Sequence, residues 1–337
     1  SQQGTVNVLP TYQSWQIEGP FQINEFSVPI AVYYPVNRNL SFYLKGNQAN
    51  ISGDVEQLSG ITDTQLACNY HHEASNLVFS LGMNLPSGMV ELSSGQFMTS
   101  AYLSYNYFNF QVPSFGQGFN VCPGITWAKP LSDNFVLGLG ASYQFKGKFR
   151  PIKGMLNDYD PGEELLITAG LDARLSEATT VAADIIFTKF GTDKVGPQKV
   201  FVSGNSIVVT GQFRSFFGYN ELRLLGRFRG KGKNSLVIGG ILQQEVEQST
   251  PVQLEGEGLF RWRYRQTLYL TFLGEAKSYL PTGNFPGVDI FGFGVQPEIE
   301  VSESMKILPR VKFLFGDFPG GTTIAGWELG LGINYRF

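Results

Sequence analysis

The chain has 337 residues and a formal net charge of -3, with charged residues at only 16 %, aromatic residues at 14 % and 40 glycines. Charged residues usually make up about a quarter of a soluble domain, so this balance is unlike that of a cytosolic enzyme, and the slight negative charge argues against nucleic acid as a partner. Mean hydropathy is -0.06, and no run of about 18 apolar residues is present, so no membrane-spanning helix is available.

In chain order, the first segment, Thr5 to Gln16, reads either as a first strand or as an amino-terminal segment tucked into a lumen. Clear alternation begins with Phe26, Val28, Ile30, Val32 and Tyr34 opposing Glu25, Ser27, Ala31 and Tyr33. Successive side chains of a strand point to opposite faces, so each such run has one apolar wall and one small or polar wall. The pattern recurs at Leu40–Lys45, Phe135–Lys146, Leu165–Leu175 and Val181–Thr188. Short Asn/Asp/Ser-rich turns separate many runs, at 35–39, 72–76, 131–134, 176–179 and 302–304. Longer Gly/Pro-rich connections fall near 52–61, 86–118, 148–163, 190–205 and 280–288. Between 229 and 254 the reading divides. Turns fit both at 217–220 and at 230–233, and Ser235–Val246 is either a spanning strand or half of an extracellular hairpin. The chain closes on Ala325–Phe337, with Ala325, Trp327, Leu329, Leu331, Ile333, Tyr335 and Phe337 on one face and Gly326, Glu328, Gly330, Gly332, Asn334 and Arg336 on the other.

Short turns alternating with long loops, and strands with one apolar face, predict a transmembrane antiparallel β-barrel, since only a closed barrel satisfies strand backbone groups in lipid. The count is about 14 strands, within a bracket of roughly 12 to 16. The chain reads as one barrel domain over 1–337, with 1–20 as its first strand or as a luminal or periplasmic segment. It begins at Ser1 without a basic, apolar leader, which reads as a mature form.

Charge is patterned toward the carboxy-terminal half. Arg223, Arg227 and Arg229 share one strand face, and Arg261, Arg263 and Arg265 share another. Arg310 and Lys312 alternate with apolar residues, and Glu298 and Glu300 stand on the preceding strand, placed to pair with them. Charge on a lipid-facing midplane position costs roughly 2–4 kcal/mol for Arg or Lys. These residues, with Glu328 and Arg336, are therefore predicted to line the lumen. They form either a cationic pathway for acidic solutes or a structural ladder that fills a narrow barrel. The longest connection, 88–118, is rich in rings and thioethers: Met89, Phe97, Met98, Tyr102, Tyr105, Tyr107, Phe108, Phe110 and Phe115. Part of Val90–Tyr107 is predicted helical. This loop is either a groove that captures hydrophobic molecules or a segment folded into the barrel mouth.

Catalytic and metal chemistry find little support. His71 and His72 lie beside a turn, where adjacent residues point apart, so no metal site is predicted and no catalytic residue is assigned. Gly230–Ser235 lacks phosphate-loop spacing, and 158–164 lacks the ligand periodicity of a calcium loop. Cys68 and Cys122 are far apart and show no ligand spacing. No cofactor is implied.

The terminal strand, with its aromatic last residue, resembles the closing strand of bacterial outer-membrane barrels, where that aromatic is part of the signal read by the assembly machinery. Thr62-Asp63-Thr64-Gln65-Leu66, Met83-Asn84-Leu85-Pro86-Ser87-Gly88 and Asp160-Pro161-Gly162-Glu163 resemble segments of the hydrophobic-compound channels: the fatty-acid and aromatic-hydrocarbon transporters and the barrels of phenol-degradation pathways. The resemblance implies a Gram-negative outer-membrane protein that takes up small hydrophobic or amphipathic molecules, with fourteen strands, an amino-terminal plug and a lateral exit. A recognisable long plug is missing here. The implied partners are outer-membrane lipid and a small-molecule solute, with a homo-oligomer or larger complex as a further expectation. The alternative is a non-transporting structural barrel in a larger assembly.

Overall fold

The computed structural model describes residues 3–105 and 107–337. Its main sheet has 18 hydrogen-bonded segments. Thr5–Val8 continues as Thr11–Ile17 beside the same two neighbours, and Leu58–Ile61 continues as Thr64–His72 beside Leu40–Gly53. The wall therefore has sixteen strands, not the expected fourteen.

Two ambiguous segments account for the difference. Thr5–Ile17 is part of the wall rather than a luminal segment: it pairs antiparallel with both Gln22–Pro35 and the last strand, Thr323–Arg336, and so closes the barrel. The turn at 217–220 is real and joins two full strands, Ser206–Phe217 and Asn220–Lys231. Ser235–Ile238 and Ile241–Gln244 form a hairpin outside the wall, within a separate five-stranded sheet. Hydrophobic alternation alone cannot make these distinctions, because a loop hairpin and a wall strand share the same period.

Among the described residues every wall strand pairs with its neighbours through antiparallel ladders, which leaves no open edge in the wall. The connections at 36–39, 73–76, 133–134, 175–178, 218–219, 266–267 and 303–304 are short and lie on the rim that also holds both chain ends. The long connections lie on the opposite rim, which in barrels of this kind is the extracellular one.

The outward face is a belt of apolar side chains: Ile167, Ile185, Phe187, Phe291, Phe293, Phe313, Trp327, Leu329 and Leu331 are exposed there, Leu329 at 49 %. The chain end joins this belt, with Phe337 stacked on Tyr34 at 6.3 Å between ring centroids. In water such an array would be an aggregating surface; in lipid it is the ground state. A closed barrel with this belt is a bacterial outer-membrane protein. Register places Cys122 on the inner face with Ala67 and Gly82, whereas the adjacent Cys68 points outward; both are free thiols.

Candidate functional site: the divided lumen

The buried core of this molecule lies within the barrel, where the 86–119 connection folds inward. Its helix, Ser94–Leu103, starts at a capping box: Ser93 Oγ accepts the Gln96 N–H at 3.1 Å and Gln96 Oε1 accepts the Ser93 N–H at 3.1 Å. This satisfies two of the free N–H groups at a helix start. Thr99 Oγ1 donates to the Glu56 carbonyl at 2.8 Å, tying the helix to the extracellular rim.

Both ends of the connection meet at one carboxylate. Asp63 accepts the Gly88 N–H at 2.9 Å, the Gln117 N–H at 2.7 Å and the Asn84 side-chain amide at 2.6 Å. The chain passes so close here that a Cβ on Gly88 would lie 2.1 Å from the Phe115 carbonyl oxygen.

Deeper in the lumen, the Phe108 carbonyl accepts hydrogen bonds from Gln13 Nε2 at 2.7 Å and Trp15 Nε1 at 2.8 Å. The buried Glu25 accepts the N–H groups of Gln111 at 3.0 Å and Val112 at 3.2 Å. The Trp15 ring packs edge-on against Phe108 at 5.7 Å. Gly326 provides the room, since a Cβ there would sit 2.7 Å from the Trp15 ring. Asn109, at φ +53°, turns the chain where it borders the lumen cavity, a conformation that asparagine tolerates better than most residues.

The loop thus leaves a cavity of about 550 Å³ between Asn109 and Gln111 and the far wall. That wall carries Arg214, Arg223, Arg310 and Lys312, interleaved with Leu225, Leu259 and Leu273, together with Glu257, Glu275 and Glu328. A smaller passage of about 190 Å³ lies on the other side of the loop, beside Lys45, Asn47 and Gln65.

The charges on the inner face are mostly paired. Arg261 makes a two-pronged contact to Glu298, at 2.8 and 2.9 Å. Lys306 reaches Glu298 at 2.6 Å and Glu300 at 3.0 Å. Lys312 pairs with Glu275 at 2.8 Å and Arg227 with Glu255 at 3.1 Å. Arg214 and Arg223 share Glu221. Arg310 approaches Glu328 at 2.7 Å as a charge contact without a well-directed hydrogen bond. Arg263 instead lies over the Tyr219 ring, 4.1 Å from its centroid. The anticipated pairing of Glu298 and Glu300 with Arg310 and Lys312 does not form. Lys306 is nearer along the ladder to Glu298 and Glu300, while Glu328 and Glu275 lie closer to Arg310 and Lys312. Arg336 sits exposed at the short-turn rim, apart from the others.

The loop residues do not share one groove. Phe108, Phe110 and Phe115 are buried as packing. Met89 is half-buried near Gly60. Tyr102 packs on Phe21 at 5.5 Å, and Tyr107 packs between Tyr279, Phe285 and Phe318. Burial, with the neighbouring Tyr105 and Tyr102 adding to it, pushes the Tyr107 phenol well above its ordinary range, so it stays neutral. Only Phe97, Met98 and Tyr105 are exposed, Met98 at 56 %. Asp63, Glu25, Gln13, Trp15, Arg214 and Glu275 carry much of the geometry, and the sequence assigns a role to none of them. Glu25 does stand on the polar face of its alternating run, which marks it as inward. Nothing local marks it as a loop anchor, because its partners are 86 and 87 residues away.

At the short-turn rim His72 Nδ1 lies 2.7 Å from Ser75 Oγ, a contact across a turn. Among the described residues no cluster of three His, Cys, Asp or Glu side chains could hold a metal ion.

No protein-family model matches the chain, and no curated protein does. Solved structures match its fold. OccK5 (OpdH) of Pseudomonas aeruginosa aligns at TM-score 0.51 with 9 % identity, over 99 % of this chain and 98 % of that one. CdiB of Acinetobacter baumannii aligns at TM-score 0.56 with 9 % identity, over 98 % of this chain and 60 % of that one. The COG4313 outer-membrane channel of Pseudomonas putida F1 aligns at TM-score 0.41 with 8 % identity, over 100 % of this chain and 96 % of that one. At these identities the likeness is one of fold: that of outer-membrane barrels.

Proposed function

We propose that the protein is a passive outer-membrane channel for small amphipathic molecules that carry an acidic group. The observation that carries this reading is the loop-narrowed cavity, where four basic side chains, Arg214, Arg223, Arg310 and Lys312, outnumber the carboxylates Glu257, Glu275 and Glu328 and stand among Leu225, Leu259 and Leu273 opposite Asn109 and Gln111. A basic row attracts and orients a carboxylate, while the leucines accept its apolar part. Phe97, Met98 and Tyr105, exposed on the loop, would collect the apolar part of a ligand from outside. Arg223, Arg227, Arg261, Arg263, Glu298, Glu300, Arg310, Lys312 and Glu328 would set solute preference, with Arg336 at the exit rim. No catalytic role and no cofactor are proposed.

The extensive ion pairing favours a second reading, a closed structural barrel in which the charges serve only to rigidify the wall. Liposomes carrying the protein separate the two. Swelling in medium-chain carboxylates, faster than in neutral sugars of similar size, supports the channel. Liposomes that admit neither sink it.

A further inference from the structure

On the outer face, the apolar belt ends toward the extracellular rim at the register row Tyr143, Leu165 and Lys189. The next outward row toward the opposite rim is Ala141, Ile167 and Phe187, and Ile167 and Phe187 are exposed, as lipid-facing residues are. Just above this edge, the loop 160–163 and the hairpin of Thr192–Val195 with Gln198–Val202 enclose an outward pocket of about 640 Å³.

Lys189, Lys194 and Lys199 line that pocket. Lys194 and Lys199 are direct cross-strand partners, and like charges in that position destabilise a strand pair. Among the described residues no carboxylate lies within 4.0 Å of any of the three lysines. The nearby acids are otherwise engaged. Asp160 is the cross-strand partner of Lys194 on its other side, but its carboxylate lies 3.6 Å from Lys148; Glu163 accepts the Tyr143 hydroxyl, and Asp193 accepts the Gly162 N–H at 2.7 Å and the Tyr159 hydroxyl. Asp160 and Glu163 also line the pocket, but their hydrogen bonds and ion pairs run to other groups, and the three lysines outnumber them there.

We propose that this pocket binds the phosphorylated headgroup of a lipid in the surrounding leaflet. The three ammonium groups would take the phosphate, and the acyl chains would run down Leu165, Ile167 and Phe187. An anion between Lys194 and Lys199 removes their repulsion, and a lipid is favoured over a free anion because the pocket opens directly above the belt. A basic cluster at a membrane surface attracts anionic headgroups.

The test is native mass spectrometry of the full chain, released from nanodiscs of phosphatidylcholine doped with bis-phosphorylated lipid A. The wild type is expected to retain lipid A. Lys189→Gln/Lys194→Gln/Lys199→Gln is expected to lose at least about tenfold of the bound fraction, and the corresponding Lys→Arg triple to keep it. Heat-modifiable gel mobility confirms that each variant is folded. Millimolar inorganic phosphate is expected not to displace the lipid. The proposal is overturned if the Gln triple retains lipid A like the wild type, if Lys129→Gln at the opposite rim lowers retention equally, or if inorganic phosphate empties the site.

Discussion

Removing the Asp63 carboxylate should release the luminal loop while leaving the barrel intact. Asp63 accepts three hydrogen bonds, from Gly88, Gln117 and the Asn84 side chain. Hydrogen bonds to a charged group contribute about 1.5–3 kcal/mol each. Bonds sharing one carboxylate are not additive, and the loop keeps its anchors at Gln13, Trp15 and Glu25. A net loss of about 3 kcal/mol for Asp63→Ala is therefore a conservative figure. At about 1.4 kcal/mol per tenfold, the open-loop population rises about a hundredfold. Chymotrypsin reads this directly, because the loop is dense in Phe and Tyr and cleavage of a transiently opened segment tracks its population. The folded wild type should resist cleavage between 97 and 115, and Asp63→Ala should be cut there about a hundredfold faster. Its gel mobility should remain that of a folded barrel. Equal cleavage rates in the two proteins would refute the two-ended clamp.

Glu25→Gln keeps the shape of the deeper anchor but replaces one of the two acceptor oxygens with an amide that donates. It should raise open-channel current noise without unfolding the protein, as checked by single-channel recording in planar bilayers. Gly326→Leu drives a side chain into the space held by the Trp15 ring. Overpacking of this kind costs about 1–3 kcal/mol, so the heat-modification midpoint should fall. Glu245, outside the wall, is subject to a burial effect that raises its pKa, yet the Asn234 N–H and the Ser249 hydrogen bonds outweigh it and hold the carboxyl below its usual 4.5. A depressed folded pKa gives stability that is present above the unfolded value and lost as pH falls through the folded one. Amide protection factors across 234–249, taken against the intrinsic exchange rate at each pH, should therefore fall below about pH 4.5 in the wild type and lose that pH dependence in Glu245→Gln.

The wall was legible because lipid and lumen impose a strict period of two, and runs such as Phe135–Lys146 and Ala325–Phe337 obey it along their length. The strand number was less legible at Thr5–Ile17, where Leu9-Pro10 interrupts the pattern, and at 235–244, where a loop hairpin imitates a wall strand. The expectation that the arginine rows face inward followed from the cost of charge in lipid. Their partners did not, because register between strands fixes them: Glu298 finds Arg261 and Lys306 rather than Arg310. The loop 88–118 stood out through its rings, but composition does not distinguish an exposed groove from a packed insert. Phe108 and Phe110 are buried because Gln13, Trp15 and Glu25, distant in sequence, hold the backbone beside them. Asp63 lies in the Thr62–Leu66 segment that carried the family resemblance, and in three dimensions that segment is the foot of the loop.

The most direct measurement of the central claim is the reversal potential of single channels under a potassium chloride gradient, for the wild type and for Arg310→Glu/Lys312→Glu. A conducting lumen with a cationic constriction predicts anion selectivity in the wild type and a shift toward cations in the variant. A barrel that carries no current, or one whose selectivity is unchanged by reversing these two charges, would contradict it.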